Sequence, residues 1–185
     1  MEALTVNAGS SPEQPGLLVD YLEPRWYAAY TSANHEKSVA EQLGVREVEH
    51  FLPLRSSVRR WKDRRVTLQM PLFPSYVFVR IALRNRFQLL QIPGVVHLVS
   101  FCGHPAPLQE EDIHAIRKCV SHDNQVQPHP YLQAGRRAQV KSGPLQGLQG
   151  IILRRKKRTR FIVSLDLIMR SVAVEIDETD LAPPV

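Results

Sequence analysis

The stretch PLFPSYVFVR, from Pro71 to Arg80, decides the reading of this sequence, and VKSGPLQGLQGII, from Val140 to Ile152, completes it. The first runs into a very apolar segment, residues 76–83, that reads as a strand, with the aromatic side chains Phe73 and Tyr76 near its start. The second sets Gly143, Gly147 and Gly150 around Pro144. That pattern needs tight turns with little side-chain bulk between one strand and the next. It contains no G-K-[S/T] and no G-x-G-x-x-G spacing, so a nucleotide-phosphate loop is excluded.

Working outward from Pro71, residues 26–30 (Trp-Tyr-Ala-Ala-Tyr) form an aromatic strand. Thr31 and Ser32 offer helix caps, and Val39 with Leu43 stand four apart on a short amphipathic helix that ends at Gly44. Residues 47–54 and 66–69 read as strands joined by a basic turn, Arg55 to Arg65. Asn85 caps a short helix through Phe87 and Leu90, stopped before Pro93 and Gly94, and residues 95–101 form another strand. Residues 110–120 read as a helix with Glu110, Glu111 and Asp112 in its first turn and Arg117 and Lys118 in its last, as the helix dipole prefers. Its Ile113, Ile116 and Val120 share one face. The expected class is α+β, an α/β sandwich on an antiparallel sheet.

Residues 121–131 are polar with two prolines and read as a semi-extended linker. Strand-like segments 138–140, 150–155, 161–165 and 171–176 then follow at close spacing, which predicts a small all-β barrel. About 55 residues give such a module only a marginal core. The expected division is 1–24 a disordered acidic tail, 25–120 the first domain, 121–131 the linker and 132–185 the barrel.

The chain has 185 residues, 43% of them hydrophobic, with 24 Lys+Arg against 18 Asp+Glu. That composition excludes disorder of the whole chain. No run approaches the roughly 18 apolar residues of a membrane span. The N-terminal residues have no basic n-region, and Cys102 and Cys119 are too few for a disulfide scaffold, so a reducing cytoplasm and no secretory signal are expected. Net charge is −4 over residues 1–24, +6 over 25–120, −1 over 121–130 and +5 over 131–185. Two basic bodies behind an acidic tail suggest a polyanion nearby. Solubilising surface charge is the plainer account.

The first stretch, with Trp26, Tyr27 and Tyr30 upstream and Pro93-Gly94-Val95 downstream, resembles the N-terminal (NGN) domain of the NusG family of transcription elongation factors. The second resembles that family's C-terminal KOW motif, and order, spacing and linker match over residues 25–185. Phe73-Pro74-Ser75-Tyr76 followed by Val77-Phe78-Val79, Gly94-Val95-Val96-His97 and Leu165-Asp166-Leu167-Ile168 are in the style of the specialised RfaH and UpxY types. The resemblance implies an NGN sandwich, a linker and a small SH3-like KOW barrel. It further implies a monomeric, non-enzymatic antitermination factor without cofactor or metal, specialised for selected operons or acting as the housekeeping factor on most genes.

Site residues follow from the same resemblance. Tyr30, Phe73, Pro74 and Tyr76 fall where the family grips the clamp helices of the RNA polymerase β′ subunit. Aromatics suit such an anchor, although ordinary core is the plainer reading. Leu72 and Trp26 are expected to face inward. Arg86 and Phe87 fall near the contact with the β-subunit gate loop, though they differ from the polar pattern of RfaH there. Ser38 and Gln42 stand where RfaH reads a paused non-template DNA hairpin, while Asn34, His35 and Lys37 remain available to DNA. Arg55, Arg59, Arg60, Lys62, Arg64 and Arg65 surround Asp63; they form either a solvated loop or a phosphate-steering patch for upstream or non-template DNA, with Trp61 either stacking on a base or pinning the loop. Arg154 to Arg158 and Arg160 form a second basic run. Leu145, Ile168 and Met169 lie where the family's KOW domain presents an exposed apolar tip to termination factor Rho or to the ribosomal protein also called NusE.

Catalytic chemistry has no candidate. Cys102, His104, His114 and Cys119 lack zinc spacing, and no G-x-S-x-G or H-E-x-x-H occurs. The rival of another class is an RNA- or ribosome-binding KOW protein, whose affinity would fall steeply with salt.

Overall fold

The computed structural model describes residues 21–60, 64–122, 126–132, 135–155 and 158–182. The expected tail, residues 1–24, lies almost wholly outside the described residues. Strand β1 (Arg25–Thr31) is central in a four-stranded antiparallel sheet of order β2-β5-β1-β6, with β2 (His50–Phe51), β5 (Tyr76–Ile81) and β6 (Val95–Leu98). Successive residues of a strand face opposite sides, so β1 supplies two apolar faces. Tyr27 and Ala29 pack with Val39 and Leu43 of α1 (Glu36–Val45) and Leu89 of α2 (Arg86–Leu90). Trp26 and Ala28 pack with Phe78 and with Ile113, Ile116 and Cys119 of α3 (Glu110–His122). The α3 residues recur every three positions, as one face of a helix requires.

Several expected elements shift. Thr31 belongs to β1, and α1 starts at Glu36 after His35, whose side chain makes no capping bond to the helix. The strand expected over 47–54 is only His50–Phe51, because Pro53 cannot donate to a ladder. The Pro53 carbonyl instead accepts from the Leu72 amide at 2.8 Å. The basic stretch is not a turn. Residues 54–60 and 65–71 pair along their length as a separate two-stranded ribbon, β3 (Leu54–Arg60) and β4 (Arg65–Pro71). The strand expected over 95–101 divides into β6 and β7 (Ser100–Phe101), which pairs with β8 (His104–Pro105) instead.

The C-terminal β domain is a six-stranded antiparallel sheet of order β14-β10-β11-β12-β13-β9. Its strands are β9 (Gln127–Pro130), β10 (Arg136–Val140), β11 (Gln149–Arg155), β12 (Arg158–Leu165), β13 (Arg170–Glu175) and β14 (Leu181–Ala182). Strand β9 lies inside the stretch expected as linker. Its two prolines are tolerated because it is an edge strand, pairing with β13 alone. Gly147 holds φ 88 in the turn before β11, as expected. Gly150 does not turn the chain; it sits in β11, where a Cβ would meet the Ile162 carbonyl oxygen at 2.5 Å. Phe161, Val163, Leu165, Val172 and Val174 form this domain's core, and they share one apolar cluster with Trp26, Phe78 and α3. Lys118 of α3 donates from Nζ to the Gln146 carbonyl oxygen at 3.2 Å, so the two domains are docked.

Candidate functional site

The site begins at the turn that feeds β5. Pro74 and Ser75 occupy its corner, and the Tyr76 amide donates to the Phe73 carbonyl at 3.2 Å to close it. Proline at the first corner and a left-handed residue at the second, Ser75 with φ 67, is the pattern of a type II turn. The Ser75 carbonyl accepts from the Thr31 amide at 2.9 Å, which ties the turn to β1. The Ser75 amide donates to Oε1 of Glu36 at 2.7 Å.

From the turn a row of rings crosses three strands. Tyr76 of β5 lies opposite Tyr30 of β1, which lies opposite His97 of β6. Tyr30 and Tyr76 meet edge to face with centroids 5.5 Å apart, and Tyr30 stacks on His97 at 5.1 Å. Such cross-strand aromatic pairs stabilise a sheet face while leaving ring surface for a partner. Phe73 meets Phe78 edge to face at 5.8 Å. The structure therefore brings Tyr30, Phe73, Pro74 and Tyr76 together. His97 was not singled out by sequence reasoning; only its register opposite Tyr30 marks it. Trp26 and Leu72 are buried.

Phe73 is only 2% exposed, and its cluster includes residues of the C-terminal β domain. On that domain the expected tip is not free either. Leu145 and Ile168 are 2% and 5% exposed within the same cluster, and only Met169, at 56%, reaches solvent. A domain this small has few apolar residues to fill its interior and its contact, and these two are used there. Across the contact, burial raises the Asp112 carboxyl against a backbone hydrogen bond from Gln109 that lowers it, and the charges of Asp166 and Glu111 add to the rise.

Arg86 and Phe87 stand apart from the aromatic turn, on α2, which covers the opposite face of the sheet. Phe87 is 64% exposed, with the Arg86 guanidinium 4.9 Å above its ring. In the ribbon, Arg60 and Arg65 are exposed and directly opposed, and Arg64 is exposed beside them. Like charges facing each other destabilise a strand pair, a cost that a bound polyanion relieves. Arg59 pairs with Val66 through its backbone, while Trp61 and Lys62 lie outside the described residues. In the second basic run, Arg155 pairs with Arg158 across the β11–β12 hairpin, residues 156–157 lie outside the described residues, and Arg160 is 3.8 Å from Glu175.

Cys102 is exposed in the β7–β8 turn, whereas Cys119 is buried and its thiol is pushed up to about 12 by that burial. Among the described residues no three His, Cys, Asp or Glu side chains converge as metal ligands. No helix among them is long and apolar enough to cross a membrane.

A family model described as NusG, transcription termination factor, matches residues 24–117, half of the chain. The transcription termination/antitermination protein NusG of Halalkalibacterium halodurans is 25% identical over 179 residues, covering 86% of this chain and 98% of that protein. A solved structure on domain interaction in Thermotoga maritima NusG aligns with a TM-score of 0.56 at 17% identity, covering 87% of this chain and 97% of that one. That alignment supports the fold; the likeness to RfaH and UpxY is one of motif style. The matched residues 24–117 contain the four-stranded sheet, α1, α2, the first two turns of α3, the ribbon and the aromatic turn, and the chain belongs to the NusG family of transcription termination factors.

Proposed function

We propose that the chain is a non-catalytic elongation and antitermination factor that grips the clamp helices of the RNA polymerase β′ subunit with the face around Tyr30, Phe73, Pro74 and Tyr76. The observation that carries this reading is the fixed aromatic turn and its ring row at one end of the sheet. Rigid aromatics held by backbone hydrogen bonds lose little entropy on binding and make natural anchors. Holding the clamp closed disfavours the open, paused polymerase by differential binding to the two states. Arg86 and Phe87 contact the β-subunit gate loop in this reading. The opposed Arg60 and Arg65, with Arg64, steer upstream or non-template DNA by contacts to phosphate.

The docked form adds a condition. Phe73, Leu145 and Ile168 are buried in one cluster, which supports the reading that the docked C-terminal domain covers part of the polymerase face and part of the tip that would meet Rho or NusE, while Pro74 and Met169 stay exposed. Binding at full strength then requires the C-terminal domain to leave. The test is retention of core polymerase by the full chain and by Tyr76→Ala and Phe73→Leu. The reading predicts retention by wild type, loss in Tyr76→Ala with the fold intact, and partial loss in Phe73→Leu. Retention indifferent to both variants contradicts it.

A further inference from the structure

Among the residues whose burial is described, Glu36 is the only Asp, Glu, Lys, Arg or His that is buried, at 5% exposure. It opens α1, where the partial positive charge of a helix N-terminus favours an acid. That preference is met equally well by an exposed carboxylate, so it does not account for burial. A buried carboxylate must replace lost hydration with hydrogen bonds. The partner is the Ser75 amide, 2.7 Å from Oε1 and 39 residues away in sequence.

Ser75 is the strained member of the turn. Its φ of 67 lies in the left-handed region, which glycine enters freely and a residue with a Cβ enters at a cost. A type II turn asks for glycine at this corner, and the chain has serine. The turn is held there from two sides, by Thr31 at the Ser75 carbonyl and by Glu36 at the Ser75 amide. Phe73, Pro74 and Tyr76 are its other three residues.

We infer that Glu36 is a positioning residue for the polymerase-binding face. Its carboxylate holds Ser75 in the left-handed conformation and so fixes the direction in which Phe73, Pro74 and Tyr76 are presented. The inference rests on the clamp-helix reading for its consequence, not for the hydrogen bond itself. It explains why an unfavourable serine is tolerated at the corner. Glycine at 75 would make the carboxylate dispensable.

The experiment uses the full chain as wild type, Glu36→Gln, Glu36→Ala, Ser75→Gly and the Glu36→Ala/Ser75→Gly pair. Exchange of the Ser75 amide hydrogen is followed by NMR against that of Val77 in β5. Dissociation from an isolated β′ clamp-helix coiled coil is followed in parallel. Glu36→Ala is expected to speed Ser75 exchange relative to Val77, and dissociation, by about tenfold each. Glu36→Gln, which keeps the acceptor oxygen, stays within about threefold of wild type. The double variant recovers wild-type dissociation, a rescue that general loss of stability would not give. If Glu36→Ala alone does not fold, the double variant is compared with Ser75→Gly, and matching dissociation rates are expected. An unchanged Ser75-to-Val77 exchange ratio in Glu36→Ala, or a double variant that dissociates as fast as the single one, overturns the inference. Failure of wild type to bind the coiled coil defeats the clamp-helix reading instead, and the Ser75 exchange ratio then decides alone whether Glu36 holds the turn.

Discussion

On one face of the N-terminal sheet, Tyr27, Ala29, Val77 and Val79 are sealed by Val39 and Leu43 of α1 and by Leu89 of α2. On the other, Trp26, Ala28 and Phe78 lie under α3 and share their cluster with Phe161, Leu165 and Leu148 of the C-terminal domain. The first face is closed by neighbours in the same fold. The second is closed partly by a domain on a connection of a few residues, and it carries the aromatic turn. A sealed face serves stability. In the proposed function, the face completed by the C-terminal domain exchanges one apolar cover for another, which is possible because burial is non-directional and scales with the area removed from water.

The largest effect should come from the sealed face. Leu43→Ala removes a fully buried side chain and is expected to cost about 2–5 kcal/mol in urea unfolding. Polymerase binding should fall only as far as folding does. A variant that folded normally but lost binding would erase the distinction between the two faces.

Tyr76→Ala should behave the opposite way. It is half-buried, and its truncation is expected to weaken polymerase binding about thirtyfold, near the 2 kcal/mol of an interface anchor, with a smaller loss in urea unfolding. Equal losses in stability and binding would make this face ordinary core.

Alkaline titration sharpens the contrast at α3. Burial pushes the Cys119 thiol up to about 12 in the folded chain. Above the usual thiol value near 8.5–9 the unfolded chain releases this proton while the folded chain keeps it. Stability should therefore fall with rising pH, by up to about 1.4 kcal/mol per unit between about pH 9 and 12. Cys119→Ala should remove that component of the slope, whereas Cys102→Ala, at an exposed site, should not. A slope unchanged in Cys119→Ala would show the thiol to be hydrated.

The smallest effect concerns the ribbon. Arg60→Ala and Arg65→Ala should each reduce the log–log salt dependence of DNA binding by about 1 if they meet phosphate. Urea stability should hold or rise slightly as the opposed charges are removed. An unchanged salt dependence would reduce the ribbon to a solvated hairpin.

Much of this arrangement was legible in the residues. The aromatic run Trp-Tyr-Ala-Ala-Tyr and the apolar run after Tyr76 mark the central strands, and the acids at Glu110 to Asp112 mark the start of α3. What was missed depended on long-range pairing. Prolines in β9 read locally as linker because edge pairing with β13 leaves no local signal. Arg55 to Arg65 read as a turn because charge masked the ladder between β3 and β4. At the candidate site, Tyr30, Phe73 and Tyr76 were marked by the family resemblance, since their aromatic character alone reads equally well as core. His97 and Glu36 were hidden, since a register opposite Tyr30 and a bond spanning 39 residues exist only in the fold. The burial of Leu145 and Ile168 likewise depends on long-range packing, in the cluster they share with Phe161, Leu165 and α3.

In the proposed function the second face exchanges its cover when polymerase binds. The most direct measurement is ¹⁵N relaxation of amides in both domains of the full chain, free and bound to the isolated β′ clamp-helix coiled coil. The account predicts one shared correlation time in the free chain, as the Lys118–Gln146 contact and the common cluster require. In the complex it predicts a shorter correlation time for the C-terminal domain than for the sheet that holds Tyr30 and Tyr76. A C-terminal domain that keeps the sheet's correlation time in the complex would contradict it.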